Sequence, residues 1–301
     1  MSESYIAVVG AINIDIWGRS SSILILRDSN PGVISYSMGG VGRNIAHNLC
    51  LMGQRVSMLT AIGGDHWAAQ IERSCAGIGI ELDHAFHVPN ERTGTYLAVS
   101  GPDGDMAIGL SDMAIADCIS PEAVMRELPF LNAAKLVVAD GNLSEETIRC
   151  ICENVTAPIF ADPVSVTKGR KFLPYLHRLH TFKPNSLEAE TLTGLSDPES
   201  SAAELVRRGV KRAFVSDGAG GMVVADGDEV FRVPCLPTRL VNATGGGDAV
   251  MAAICDSFVR GCTPRESALR AMAAGSIAVE SAETISPLMS AEAIEAKLKG
   301  H

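Results

Sequence analysis

The segment Asn242-Ala-Thr-Gly-Gly-Gly-Asp248 directly precedes the apolar helical run Ala249-Val-Met-Ala-Ala-Ile-Cys255. Three glycines before a helix let successive amide N–H groups converge on one point, where the helix dipole also favours negative charge. Gly245, Gly246 and Gly247 therefore read as an anion hole. Asp248, in the first turn, brings a carboxylate over the same opening, where it can take a proton from a hydroxyl. A flexible turn followed by a dipole-stabilising Asp uses the same residues, and the segment alone leaves both accounts open.

Four other segments carry polar groups that suit ligands. Asn13-Ile-Asp15 follows an apolar strand-like run. In an extended segment residues two apart share a face, so this amide and carboxylate suit neighbouring sugar hydroxyls; an Asx turn is the alternative. Gly39-Gly-Val-Gly-Arg-Asn44 is a second glycine-dense helix start, with Gly40 admitting close backbone approach and Asn44 able to bind hydroxyls. Its spacing is not G-x-G-x-x-G, nor is that at the end of the first strand, which argues against a dinucleotide site. In Lys183-Pro-Asn-Ser-Leu-Glu188, Asn185 and Glu188 either cap a helix or hold waters around Mg2+. Ser216-Asp-Gly-Ala-Gly-Gly221 is either a tight hairpin connection or a backbone platform for a nucleotide.

These residues need elements to position them. The first strand is predicted at 5–10, a helix at 40–52 and a strand at 56–62. Short strand-like pieces at 23–26 and 33–36, and others at 86–88, 94–100 and 106–110 around a Pro-Asp-Gly turn, predict a small sheet standing off the main body, formed by about 12–38 and 86–111. From Ser120 onward, helices at 121–131, 145–154, 186–193 and 199–209 alternate with strands at 135–139, 158–162, 180–183 and 212–216. That rhythm belongs to a parallel sheet with crossover helices. Ser120-Pro121, Ser144-Glu-Glu and the capping box Thr263-Pro-Arg-Glu266 mark helix starts. A hairpin of 221–225 with 229–233 precedes a long helix over 245–260, which Gly261 ends. No linker or composition shift divides the chain, so 1–301 reads as one α/β domain with a β appendage.

Composition narrows the partners. With 25 Lys+Arg against 35 Asp+Glu the net charge is −10, and the basic residues do not cluster, which excludes tight nonspecific nucleic-acid binding. The longest stretch without a charged residue, 29–42, is filled with Gly, Ser, Pro and Asn, so no transmembrane helix is expected. The N-terminus lacks a basic n-region ahead of an apolar core, and a cytosolic protein is expected. Eight cysteines form no C-x-x-C pair, which argues against zinc and against a disulfide framework.

Taken in this order, the segments resemble the ribokinase-like (pfkB-type) carbohydrate and nucleoside kinases over nearly the whole chain. Gly39-Gly40-Val-Gly-Arg-Asn44 resembles the family's first signature. Thr244-Gly-Gly-Gly-Asp248 resembles its second, with Gly246 standing where Ala is usual and Asn242-Ala243 where Asp-Thr is usual. The resemblance implies a three-layer α/β/α sandwich with a mostly parallel sheet and a β lid. It further implies Asp248 as catalytic base with the Gly245, Gly246 and Gly247 amides on the transferring phosphoryl group. Asn13, Asp15, Gly40 and Asn44 would lie on the acceptor, with Thr95 and Tyr96 closing from the lid. Asn185, Ser216, Gly218, Gly221, Gly245 and Gly247 would lie on ATP, and Asn185 and Glu188 on Mg2+ through water. A potassium ion near the second signature is also expected. Separately, the short strands at 23–36 and 94–110 predict an exposed lid edge, which a homodimer pairing through the lid would bury. Within the family, Asp28-Ser-Asn-Pro-Gly32, Asp162-Pro-Val-Ser165 with Lys168, and His180-Thr-Phe-Lys-Pro-Asn185 most resemble the branch whose acceptor is pseudouridine, with Lys168 able to reach a uracil carbonyl. Kinases of ribose, fructose or another nucleoside, and a non-catalytic nucleoside sensor, are the alternatives.

Overall fold

The computed structural model describes residues 4–300. Apolar runs bounded by Gly, Asn and Asp pair into a nine-stranded sheet. Its order is Glu229–Val233 (β15), Met222–Asp226 (β14), Arg212–Ser216 (β13), Leu179–Phe182 (β12), Ile159–Asp162 (β11), Val137–Asp140 (β10), Ile6–Val9 (β1), Val56–Leu59 (β4) and Ile80–Glu81 (β6). From β6 to β13 every pair is parallel; β14 and β15 add an antiparallel hairpin. Strand β1 lies between β10 and β4, so the chain is laid down outward from it in both directions. In open parallel sheets ligands bind beyond the carboxyl ends of the strands at such a reversal.

Alternation within the strands builds two cores. Ile6 and Val8 face one layer and Ala7 and Val9 the other. The first layer contains Val41–Leu51 (α1), Ala68–Ile78 (α2), Gly246–Val259 (α9), Pro264–Val279 (α10) and Ala291–Lys299 (α11). The second contains Pro121–Arg126 (α3), Leu128–Ala133 (α4), Glu145–Asn154 (α5), Ser186–Thr193 (α7) and Pro198–Arg207 (α8), with the short Val166–Gly169 (α6) against α7. The expected three-layer sandwich is present. Among the described residues no helix is long and apolar enough to cross a membrane.

A separate four-stranded sheet runs in the order Gly32–Gly39 (β3), Asn13–Ser20 (β2), Gly94–Ser100 (β8), Met106–Asp112 (β9). The expected appendage therefore exists, with two changes of membership. Residues 23–26 are not a strand: the Asn30 side chain accepts the Ile25 N–H at 2.8 Å and donates to the Ile25 carbonyl at 2.9 Å, curling this stretch into an exposed loop between β2 and β3. Phe86–Val88 (β7) pairs instead with Ala61–Gly63 (β5), the second half of a run read as one strand over 56–62. The helix expected at 121–131 breaks at Glu127, because Pro129 has no N–H to continue the ladder. Helices α2 and α11 were not foreseen. The first lacks a side-chain N-cap to announce it.

The helix that bears Asp248 is tied down by charge. Asp256 on α9 is fully buried and accepts from Gln54 Nε2 at 2.6 Å, Arg260 Nε at 2.8 Å and Arg270 Nη2 at 2.7 Å, joining α9 to α10 and to the turn after α1. Asp256→Ala leaves the buried Arg270 guanidinium without this partner, which typically costs about 3–5 kcal/mol. Urea unfolding should show that loss; a change under ~1 kcal/mol would mean the network is dispensable.

Candidate active site

The chain leaves β1 through 10–12 and enters β2 at Asn13, above the carboxyl ends of the central strands. Asn13 Nδ2 donates to Asp15 Oδ1 at 2.6 Å, so the two side chains share a face as the extended reading required. They can do so because Gly39, opposite Asn13 in β3, has no side chain: a Cβ there would overlap the Asp15 carboxylate and stand 2.9 Å from Asn13 Nδ2. Gly40 has φ 101°, a left-handed conformation other residues rarely adopt, and packs against the Ala11 carbonyl as the N-cap of α1. The next turn carries Asn44, whose Nδ2 donates to Asp248 Oδ2 at 2.9 Å; the two are 204 residues apart in sequence. Asn44 is buried, and its Oδ1 has no hydrogen-bond partner.

Gly245 is the left-handed N-cap of α9, with φ 82°, tucked beneath the Thr284 carbonyl. Gly246 is helical. A Cβ on it would meet Val279 Cγ1 at 2.9 Å, so close packing against α10 accounts for glycine there. The Gly247 carbonyl accepts from Lys183 Nζ at 3.2 Å. Lys183 itself is buried at the end of β12, 2.9 Å from Asp162 Oδ2 at the end of β11. Sequence reasoning gives it no role of its own. A lysine closing a strand of this sheet was the available signal.

Burial raises the Asp248 carboxyl from an ordinary 3.8 to about 7; the Asp162 charge adds to the rise, and the Asn44 hydrogen bond and Lys183 oppose it. For Lys183 burial works against its charge, but Asp162, Asp248 and Glu188 together hold the ammonium above its usual range. Burial also raises Asp15, against the pull of Asn13 and Arg43. Acid–base chemistry near neutrality is thus available at Asp248.

Asn185 and Glu188 form a full capping box for α7: Asn185 Oδ1 accepts the Glu188 N–H and Glu188 Oε2 accepts the Asn185 N–H, both at 2.8 Å. A parallel bridge sets Asn185 beside Ser216 at the end of β13. Gly218 and Gly221, at φ 52° and 89°, shape the turn that follows, and Gly221 packs under the Val233 carbonyl. Asp217 turns away into an ion pair with Arg232 at 2.8 Å, which Glu199 shares. After capping, Glu188 Oε1 is left to accept from a water carried by a hard cation, while Asn185 Nδ2, an N–H donor, cannot ligate a metal and suits a phosphate oxygen. One free carboxylate oxygen suits a cation that retains its waters and does not suit a directly ligated one.

The remaining candidates are dispersed. Thr95 lies opposite Ile14 in the lid register, on the face away from Asn13 and Asp15, and lines a cavity of about 590 Å³ with Trp67, Arg92 and Leu110; Tyr96 is the residue opposite Asp15. Lys168, on α6, donates from Nζ to Asn142 Oδ1 at 2.5 Å, just beyond β10. Asp28-Ser-Asn30 sits in the loop at the far end of β2 from Asn13, roughly 20 Å along the strand at ~3.3 Å per residue. Within one chain it does not meet the Asn13 and Asp15 pair.

A parallel α/β/α sandwich with a β lid, and two glycine-dense helix starts meeting at Asp248, describe one class of protein, and the chain belongs to it: the pfkB family of carbohydrate kinases, which matches residues 3–291. It is a phosphotransferase acting on an alcohol group. Among named relatives, the pseudouridine kinase of Escherichia coli (strain K12) is 36% identical over 296 residues, covering 96% of this chain and 94% of the relative. A putative sugar kinase from Clostridium perfringens superposes with a TM-score of 0.89 at 26% identity, covering 100% of this chain and 97% of that one. A putative ribokinase II from E. coli, in complex with ATP and Mg2+, has the same fold, with a TM-score of 0.85 at 20% identity, covering 99% and 100% of the two chains.

The raised carboxyl has a consequence for stability. Between about pH 4 and pH 7 the folded state holds a proton on Asp248 that the unfolded chain gives up, so this residue's contribution to stability falls as pH rises through that window. Asp248→Asn should therefore raise the melting temperature at pH 8 and change it little at pH 5. Scanning fluorimetry at the two pH values checks this; an equal shift at both would contradict it.

Proposed function

We propose that the chain is an ATP-dependent kinase for the 5'-hydroxyl of pseudouridine, giving pseudouridine 5'-phosphate and ADP. The observation that carries the chemistry is Asp248. Its carboxyl, poised at about 7 and hydrogen-bonded to Asn44, lies in the first turn after the glycines. The choice of acceptor rests on the likeness, over almost the entire chain, to the E. coli pseudouridine kinase.

In this reading Asn13 and Asp15 hold ribose hydroxyls, and the unpartnered Asn44 Oδ1 accepts from another. Asp248 accepts the 5'-hydroxyl proton as that oxygen attacks the γ-phosphorus and ADP leaves, while the amides of Gly245 and Gly247 face the charge on the transferring phosphoryl group. The Gly246 N–H, expected to join them, is turned to the Ala243 carbonyl at 3.4 Å. Gly40 keeps the acceptor side open, and Ser216, Gly218 and Gly221 lie under the nucleotide with Asn185. Glu188 would hold Mg2+ through water, which would neutralise triphosphate charge. Only the family resemblance supports a potassium ion near 242–248. Because Asp248 must be unprotonated, turnover should fall as pH drops below about 7.

Pseudouridine differs from uridine by a carbon–carbon glycosidic bond, which frees an N1–H on the base. A site that reads the base through hydrogen bonds rejects analogues by ~1–3 kcal/mol per unmatched group. Lys168, held on Asn142 at the carboxyl end of the sheet, is our candidate for a uracil carbonyl.

The lid supports a homodimer, through a face where an edge had been expected. One face of this sheet carries Ile34, Tyr36, Ile108 and Leu110, between 54% and 78% exposed, in register with Ile16, Leu97 and Val99. A second copy of the same face would cover them. Light scattering should give a dimer that Tyr36→Glu converts to monomer; a monomeric parent protein would reject it.

Asp248→Asn should cut turnover by ~100-fold or more with ATP and nucleoside binding retained. Release of ADP across pseudouridine, uridine, ribose and fructose decides the acceptor, and Lys168→Ala should erode the preference for pseudouridine over uridine more than it slows the reaction. Equal efficiency on the two nucleosides, or preference for a free sugar, would reject the assignment.

A further inference from the structure

Asp140 ends β10, is fully buried, and has no part in the reading above. Its two carboxylate oxygens face two backbone donors: Oδ2 accepts the Gly42 N–H at 3.0 Å and Oδ1 the Asn142 N–H at 2.7 Å. Gly42 lies in the first turn of α1, where N–H groups have no partner within the helix. The N-cap of α1 is Gly40, which has no side chain to cap with, so a carboxylate 98 residues from Gly42 in sequence does the capping. Two glycines make room for it. A Cβ on Gly42 would stand 3.0 Å from both Asp140 Oδ2 and Gly10 Cα, and a Cβ on Gly10 would overlap the carboxylate. Two residues beyond Gly42 is Asn44, whose amide holds Asp248.

We propose that Asp140 is a positioning residue for phosphoryl transfer: by capping α1 from the end of β10, it fixes where Asn44 holds the Asp248 carboxylate and where Asn44 Oδ1 meets the acceptor. This rests on the reading of Asp248 as base. An ionised carboxylate accepts fully from both N–H groups, whereas Asn turns an NH2 donor toward one of them and protonation leaves one oxygen a hydroxyl, a weaker acceptor. Burial pushes the Asp140 carboxyl up to about 6, with the Asn142 and Gly42 N–H groups opposing the rise and Asp162 adding to it. The charged groups around it are Asp162 from β11, Asp248 from α9 and Lys171 from the 3-10 stretch after α6. The contact is therefore strongest above about pH 6 and weakens as the pH falls through that value.

The test compares full-length wild type, Asp140→Asn and Asp248→Asn by steady-state kinetics with pseudouridine and ATP, and by amide exchange of a peptide spanning 41–46. In Asp140→Asn we expect kcat to fall ~10-fold and the acceptor KM to rise ~3-fold or more, with the ATP KM within ~2-fold of wild type. Exchange in the first turn of α1 should quicken by ~10-fold or more. A lower kcat with both KM values unchanged would mean only that less enzyme is folded, and would overturn the proposal, as would unchanged exchange at 41–46. Should Asp140→Asn fail to fold, Gly42→Ala, which crowds the carboxylate without removing it, must show the same split between the two KM values or the proposal falls. If Asp248→Asn keeps wild-type turnover, the reading of the base fails by itself, and the exchange measurement, which needs no substrate, still decides whether Asp140 caps α1.

Discussion

Three carboxylates and one ammonium share the carboxyl end of the central sheet, and the rest of the site is arranged around that crowding. Asp140 and Asp162 are register partners on adjacent strands, Lys183 follows the next strand, and Asp248 leans in from the start of α9. One lysine does not balance three acids in a buried place. The shortfall is met by hydrogen bonds: backbone N–H groups on Asp140, the Val164 N–H on Asp162, and the Asn44 amide on Asp248. Asp248 is left the least compensated, which is why its carboxyl sits near neutrality.

Such a cluster needs backbone to come very close, and glycine allows it. Gly10, Gly39 and Gly42 are each fitted against a carboxylate that a Cβ would strike or crowd, and Gly245 and Gly40 take left-handed conformations that start α9 and α1 at the required angle. The glycine-dense signatures therefore have two tasks. Part of each can present amides to a ligand; the other part lets acids and helix ends pack where side chains would hold them apart.

The lid joins this site through β2, which carries Asn13 and Asp15, and through β3, which runs directly into α1. Residues at the start of β2 point Asn13 and Asp15 toward the helix ends, while alternation turns Ile16 and its neighbours on β3, β8 and β9 to the opposite, apolar face. Acceptor groups and an exposed hydrophobic surface are thus two sides of one sheet, and any movement of the sheet carries both.

Much of this was legible along the chain, because it depends on neighbours a few residues apart. Period-two apolar runs, the Ser120, Ser144 and Thr263 caps, the helix following 245–247 and the extended pairing of Asn13 with Asp15 are all local, and all are present. Where two local uses competed, as for Asn185 and Glu188, the cap was visible in the sequence, and the structure forms it. The contacts that carry the site are of another kind. Asn44 meets Asp248 across 204 residues, and Asp140 meets Gly42 across 98. No periodicity records such a pair, since a local pattern can show that a helix end lacks a cap but not which distant side chain supplies it. Strand partnership is equally invisible to composition: β7 joins β5 and not the lid, and the register of β8 against β2 turns Thr95 away from Asp15 and Tyr96 toward it, because one residue of shift exchanges the faces of a strand.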